Sequence, residues 1–305
     1  MGKGSGNPSI EIRLSRYNRV YQPGEVVAGQ AILTTGGSWS HNGILLKVEG
    51  IVNLHLSANA VGLFEAFSST IKPLQLMALS KEVQPAGKLA EGKIAIPFEF
   101  KLQQTGTRPL LDTYHGVYIS VQYNLTVEML KSGMFGQNLM ETTEFIVEVP
   151  IKENMPSKSP KEFTMSSENI KKSRGTREQG HTFNIRCRLD STTMPVTQPL
   201  SGKIMVEETN RPVKSINLQL IRVETINAGG EGSMKEASEV QNVQLGVGNV
   251  KTGVDIPVHV ILPRLFTSPT IHQTSFQLDF EANVVVEFEN DFSVIENVPL
   301  TFYRL

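Results

Sequence analysis

A single cysteine among 305 residues, Cys187, has no partner for an internal disulfide. The chain is therefore not a secreted scaffold held by bridges, and it is compatible with a reducing compartment. Charge of either sign in excess is also missing. With 29 basic and 30 acidic side chains the formal net charge is −1, so no overall attraction to nucleic acid or anionic membrane follows. The densest basic cluster, Lys171, Lys172, Arg174 and Arg177, has Glu168 and Glu178 beside it and reads as solvated surface. No apolar run approaches the ~18 residues needed to cross a bilayer. The start lacks the charged-then-apolar order of a signal peptide, and Met1-Gly2-Lys3-Gly4-Ser5-Gly6 has Gly6 where a myristoylation pattern wants Ser or Thr.

Catalytic words are absent too. The six histidines, at 41, 55, 115, 181, 259 and 272, form no H-E-x-x-H and no pair four apart on a helix. There is no Cys-x-x-Cys, no Gly-x-Ser-x-Gly elbow and no phosphate-binding Gly-x-x-x-x-Gly-Lys-Ser/Thr loop. Neighbouring acids such as Glu207 and Glu208 project to opposite faces of a strand, so they are not one acid/base couple. His259 reads as hydrogen-bonded or outward-facing. The expectation is a protein that is not an enzyme and carries no cofactor or metal.

Period-two alternation is present almost everywhere. Ile10–Leu14, Val26–Leu33, Gly43–Leu56, Gly92–Leu102, Val117–Leu130 and Phe145–Val149 alternate in the first half. The second half has Thr182–Leu189, Leu200–Glu207, Lys214–Ile226, Ala237–Leu245, Gly253–Leu262, Ser275–Phe288 and Val298–Tyr303. Short alternating runs separated by turn residues point to an all-β sandwich class. In Gly43–Leu56, Leu46, Val48, Gly50, Val52 and Leu54 share one phase, so one face is buried and the other largely wet. Pro23 presets a turn in which Gly24 takes a positive φ. Cys187 alternates with Ile185 and Leu189 and reads as a small core residue. The sequon Asn124-Leu125-Thr126 falls inside an alternating strand and is expected to be unmodified.

The second half repeats the grammar of the first. Gly29-Gln-Ala-Ile-Leu33 is answered by Gly202-Lys-Ile-Met-Val206, and Gly92-Lys-Ile-Ala-Ile-Pro97 by Val254-Asp-Ile-Pro257. Each Ile-Pro strand leads within about 25 residues into a long alternating one. A period near half the chain implies two similar domains rather than a solenoid of ~20- to 50-residue repeats. Lys152–Lys161, with Pro156, Pro160 and few apolar residues, reads as the linker between domains spanning 1–155 and 156–305. Ser166 caps a possible helical turn to Lys172, Val61–Phe67 is a helix or an irregular strand, and Ala228–Ser233 is a glycine-rich loop.

Alternation fails in one informative place. Val240, Val243 and Leu245 do not keep a period of two, which indicates a bulge or a sheet edge. The following Gly246-Val247-Gly248-Asn249 would present apolar groups on a glycine-punctuated loop. Either these residues form a hairpin whose apolar side chains face the core, or Val243, Gln244, Leu245, Gly246 and Val247 form an interface.

Several short words, in this order, resemble the arrestin superfamily, and within it the arrestin-like subunits of endosomal sorting coats. They include Tyr21-Gln-Pro-Gly-Glu25, Asn53-Leu-His-Leu-Ser57, Ile96-Pro-Phe-Glu-Phe100, Thr113-Tyr-His-Gly-Val117, Gln198-Pro199, Gln219-Leu-Ile-Arg-Val-Glu-Thr225, Gln241-Asn242 and Pro263-Arg-Leu-Phe-Thr267. The resemblance runs from about residue 9 to the end. It implies an arrestin-like fold of two tandem antiparallel β-sandwich domains joined by a short linker. It also implies a non-catalytic subunit of a retriever-type heterotrimer, cytoplasmic and peripheral on endosomes, that recycles transmembrane cargo to the plasma membrane. The partners so implied are an α-solenoid scaffold subunit bound through the C-terminal sandwich and, through it, a phosphoesterase-fold subunit. A sorting nexin adaptor and its associated assembly follow indirectly. In the retromer relative the contacting segment is an Ile-Met-Asp-Gly run before the Ile-Pro strand. Its positional match is Leu245-Gly246-Val247-Gly248, where Gly246 and Val247 replace Met and Asp, so the register of contact is open. The resemblance favours the interface reading. A second reading is a stand-alone arrestin-like adaptor that binds cargo sorting peptides itself.

Overall fold

Alternation becomes strand wherever the neighbouring strand can bury the apolar phase. The computed structural model describes residues 8–55, 72–132, 137–169, 180–227, 232–248, 250–264, 267–289 and 292–305. Among these residues every regular element is a β-strand and no helix occurs. Tracing the chain separates two units, one of Met1–His115 with Ile119–Val149 and one of Gly116–Tyr118 with Pro150–Leu305.

The first unit opens with β1 (Ser9–Leu14), β2 (Val20–Tyr21), β3 (Val26–Thr35), β4 (Trp39–Leu54) and β5 (Leu74–Gln84). It continues through β6 (Gly87–Leu89), β7 (Gly92–Lys101), β8 (Tyr114–His115), β9 (Ile119–Lys131) and β10 (Leu139–Val147). One sheet has the order β1-β3-β7 and the other β2-β10-β9-β4-β5, with β6 on β4 and β8 on β9. The expected positive φ appears at Gly24 (92°). The two inner faces meet in an aromatic cluster: Phe100 of the first sheet lies 6.1 Å from Phe145 of the second, and Tyr21 and Tyr123 approach Phe145 at 6.0 and 5.8 Å. These are edge-to-face and tilted spacings that aromatic quadrupoles favour. The phase Leu46, Val48, Gly50 and Val52 is buried, as the alternation required.

The second unit contains β11 (Lys161–Ser166), β12 (Phe183–Leu189), β13 (Thr193–Pro195), β14 (Leu200–Thr209) and β15 (Val213–Asn227). Next come β16 (Ser233–Val247), β17 (Asp255–Val260), β18 (Ile271–His272), β19 (Phe276–Phe288) and β20 (Ser293–Tyr303). Its sheets are ordered β11-β12-β14-β17 and β13-β20-β19-β15-β16, with β18 on β19. Phe183 and Phe288 join the two inner faces at 5.2 Å, and Phe280 packs on Phe302 at 4.8 Å. Cys187 lies fully buried between Ile185 and Leu189 in phase. The ion pair Arg222–Glu224, 3.1 Å apart, is also buried in this unit.

Register makes the internal duplication explicit. Gly29 stands opposite Leu14 on one side and Phe98 on the other, and Gly202 stands opposite Leu189 and Val258. Pro97 pairs with Gln30 and Pro257 with Lys203, one residue beyond each glycine. Both prolines lie on edge strands, where a residue without an N–H leaves no ladder bond unmade. Each unit also adds a two- or three-residue strand in parallel to its last long strand, β2 on β10 and β13 on β20. Two tandem sandwiches with this shared order are the architecture expected of an arrestin-like fold.

Three local expectations change. Lys161 does not end a linker but begins β11, because its run to Ser166 finds an antiparallel partner in Leu189–Asn184. Ser166 does cap: its Oγ accepts the Asn169 N–H at 3.3 Å. The described residues Ser167–Asn169 form a turn rather than a helix, and 170–172 lie outside the described residues. The strand β5 arises between Gly43–Leu56 and Gly92–Leu102, where the sequence offers no run of regular alternation. Val61–Phe67, the basic cluster at 171–177 and most of the 228–233 loop lie outside the described residues.

Candidate partner-binding site

The β15–β16 hairpin carries the segment in which alternation failed. β16 is an edge strand, paired with β15 on one side only. Its register slips twice: Gln241 and Glu239 oppose consecutive residues Leu220 and Ile221, and Gly246 and Gln244 oppose Ile216 and Asn217. Val240 and Leu245 are therefore the extra residues of two bulges. Bulges of this kind bend an edge strand and re-aim its side chains. Both features read from the sequence, bulge and edge, are present together.

The five sequence-predicted residues do not share one fate. Val243 pairs with the fully buried Leu218 and so points to the sandwich interior. Gln244 pairs with Asn217 and is exposed on the outer face. Leu245 is half-buried at the bulge, Gly246 is half-buried beside it, and Val247 is 69% exposed. Leu245, Gly246 and Val247 are brought together at the exit of the strand, whereas Val243 belongs to the core face.

The strand exit turns at Gly248. Gly248 has φ +59° and donates its N–H to the Lys214 carbonyl at 2.8 Å, a left-handed step that glycine makes without a Cβ penalty. A β-carbon on Gly246 would meet Val250 Cγ2 at 3.4 Å and Ile256 Cδ1 at 3.8 Å. A side chain at 246 would thus touch two apolar side chains that are themselves half-buried. Beside it opens a cavity of about 470 Å³, lined by Arg211, Pro212, Val250, Lys251 and Thr252 among others. Sequence reasoning did not include Val250, Arg211 or Lys251. Their signal is the polar turn Thr209-Asn-Arg-Pro212, which only the fold brings to the β16 exit.

Among the described residues, titratable side chains are not clustered elsewhere. Among the described residues no group of three or more His, Cys, Asp or Glu is placed to hold a metal ion. The histidines are dispersed: His41 accepts the Gly43 N–H on Nδ1 at 3.2 Å, His115 faces Glu144 at 2.9 Å, and His272 faces Asp279 at 2.6 Å. His181 packs against Phe183 and Phe288, and His259 is exposed on β17. Burial, aided by the charge of Glu296, pushes the Cys187 thiol up to about 12, so it is not a thiolate nucleophile at neutral pH. No described helix is long and apolar enough to cross a membrane.

The described residues thus combine a duplicated sandwich, a bulged edge hairpin and dispersed polar side chains. The family described as vacuolar protein sorting-associated protein 26 matches residues 11–291. The chain belongs to the Vps26 family. A Dictyostelium discoideum relative, vacuolar protein sorting-associated protein 26C, is 34% identical over 307 residues, covering 98% of this chain and 100% of that protein. Membership of the Vps26 family places the chain among arrestin-like proteins of endosomal sorting. The match spans both sandwiches, including β16 and the turn that follows it.

Proposed function

We propose that this chain is the non-catalytic arrestin-like subunit of a retriever-type heterotrimer, docking an α-solenoid scaffold subunit through its second sandwich. In that role it works in the cytoplasm on the endosomal surface and supports return of transmembrane cargo to the plasma membrane. A phosphoesterase-fold subunit and a sorting nexin adaptor join through the scaffold. The single observation that carries this reading is the exit of β16, where the Leu245 bulge and the exposed Val247 stand on a fixed turn. An exposed apolar side chain on pre-organised backbone is the kind of anchor that dominates binding energy, because little ordering entropy remains to be lost. Near-full-length similarity to a 26C protein supports the retriever-type assignment.

The test is an affinity pull-down of the tagged chain from cytosol, wild type beside Leu245→Asp, read by mass spectrometry. Recovery of the solenoid and phosphoesterase-fold subunits with wild type, and neither with the variant, is expected. Equal recovery with a folded Leu245→Asp protein would move the docking site elsewhere. Absence of both subunits even with wild type would leave the stand-alone adaptor, to be examined with cargo-tail peptides.

A further inference from the structure

The cavity beside the β16 exit has a charge character of its own. Arg211 and Lys251 line it from two different loops, with Pro212, Val250 and Thr252 between them. The Arg211 loop is pinned from several directions: Thr209 Oγ1 donates to the Arg211 carbonyl at 2.6 Å and accepts the Arg211 N–H at 3.2 Å. Asn210 donates its side-chain amide to the Gly180 carbonyl at 2.6 Å and accepts the Thr182 N–H at 3.0 Å. The Lys251 loop is fixed by Gly248 N–H to the Lys214 carbonyl at 2.8 Å and by Gly253 N–H to the Val206 carbonyl at 2.8 Å. Lys251 is exposed, and among the described residues it makes no ion pair.

Exposed apolar side chains flank the Lys251 segment in the chain. Val247 is 69% exposed and Val254 51% exposed, on either side of Val250 in the chain. The half-buried Val250 lines the cavity and is the side chain nearest to where a β-carbon at Gly246 would stand. A groove with an apolar side and a basic rim is complementary to an apolar side chain flanked by carboxylates. Rim charges of this sort act on encounter rate and salt dependence, while the apolar contact governs dissociation.

We propose that the Arg211–Lys251 cavity receives one or more carboxylate side chains of the partner that docks on Val247 and Val250. This rests on the docking reading above and adds to it the chemistry of the partner's surface: an acidic rim around an apolar anchor on the end of the solenoid. Acidity on the partner selects it from other helical surfaces by charge as well as by shape.

The experiment is biolayer interferometry of the full chain against the purified solenoid subunit, at low and high sodium chloride. Variants are Lys251→Glu, Arg211→Glu with Lys251→Glu, Leu245→Asp, and the control Lys235→Glu near the start of β16. Lys251→Glu is expected to weaken binding several-fold at low salt, mainly through the association rate, and the double variant by tenfold or more. High salt should shrink both differences, and Lys235→Glu should match wild type. The single variant alters only an exposed side chain, so the test survives if the double variant does not fold. Unchanged affinity of Lys251→Glu, with binding of wild type indifferent to salt and lost in Leu245→Asp, overturns the carboxylate proposal while leaving the docking reading intact. If Leu245→Asp binds like wild type, the docking reading fails and the carboxylate proposal falls with it. Sedimentation with phosphatidylserine vesicles is the remaining arm: vesicle binding abolished by Lys251→Glu, with solenoid binding unaffected, assigns the cavity to lipid and overturns the proposal.

Discussion

Gly50 lies directly beneath the ring of Tyr123, its cross-strand partner between β4 and β9. A β-carbon at position 50 would stand 2.6 Å from Tyr123 Cε1 and 2.9 Å from Met77 Cγ. The ring cannot swing away, because its hydroxyl donates to the Leu111 carbonyl at 2.7 Å and accepts the Leu111 N–H at 3.0 Å. One missing side chain on β4 thus allows a fully buried tyrosine to tie the strand to the segment before β8.

Gly50→Ala should therefore destabilise the first sandwich by about 1–3 kcal/mol, the usual range for overpacking a close-packed interior. Gly37→Ala is the control, since a β-carbon there meets nothing within 4 Å, and its effect should stay within about 0.5 kcal/mol. Urea unfolding followed by tyrosine and tryptophan fluorescence measures both.

Tyr123→Phe keeps the ring and removes the hydroxyl, leaving the Leu111 N–H and carbonyl without that partner. A loss of about 1–3 kcal/mol is expected from stranding part-buried backbone groups, seen in the same unfolding assay. Stability equal to wild type would show that water takes over both bonds.

The sandwich class, most strands and the duplication were legible because they rest on local alternation and on the Gly and Ile-Pro words. Gly29 and Gly202 were read as equivalent, and register places both opposite a leucine and one residue before a paired edge proline. What was not legible depends on distant partners. β5 exists because Leu74–Gln84 pairs along β4, although its buried Leu76 and Met77 are adjacent rather than alternating. The short strands Val20–Tyr21 and Thr193–Pro195 are created by β10 and β20. At the candidate site the broken alternation at Val240 and Leu245 was a true signal of bulges. The cavity was invisible, since Arg211 and Lys251 come from different loops and carry no local pattern.

Acid should loosen the start of the first unit slightly. The Arg16 guanidinium, at 2.7 Å, and then the Gln22 N–H hold the Glu25 carboxyl down at about 2, from an ordinary 4.5. A depressed folded-state value gives stability that is present above about 4.5 and is lost as pH falls from there toward 2. The pair is partly solvated, with side-chain exposures of 43% and 34%, so its worth is at most about 1 kcal/mol. Melting temperature against pH should show this component in wild type and not in Glu25→Gln; parallel curves would contradict it.

Cys187 should be silent toward thiol reagents in the folded protein. Its thiol is fully buried and held at about 12, so Ellman's reagent at pH 8 should react only as the second sandwich unfolds. Rapid stoichiometric reaction under native conditions would contradict its placement between Ile185 and Leu189.

The exit of β16 is the surface proposed to dock the scaffold subunit. Hydrogen exchange read by mass spectrometry, on the full chain with and without the purified solenoid subunit, tests this directly. New protection over Gln244–Lys251, with little change in peptides of the first sandwich, is the predicted result. Protection confined to the first sandwich, with Gln244–Lys251 exchanging as in the free chain, would contradict it.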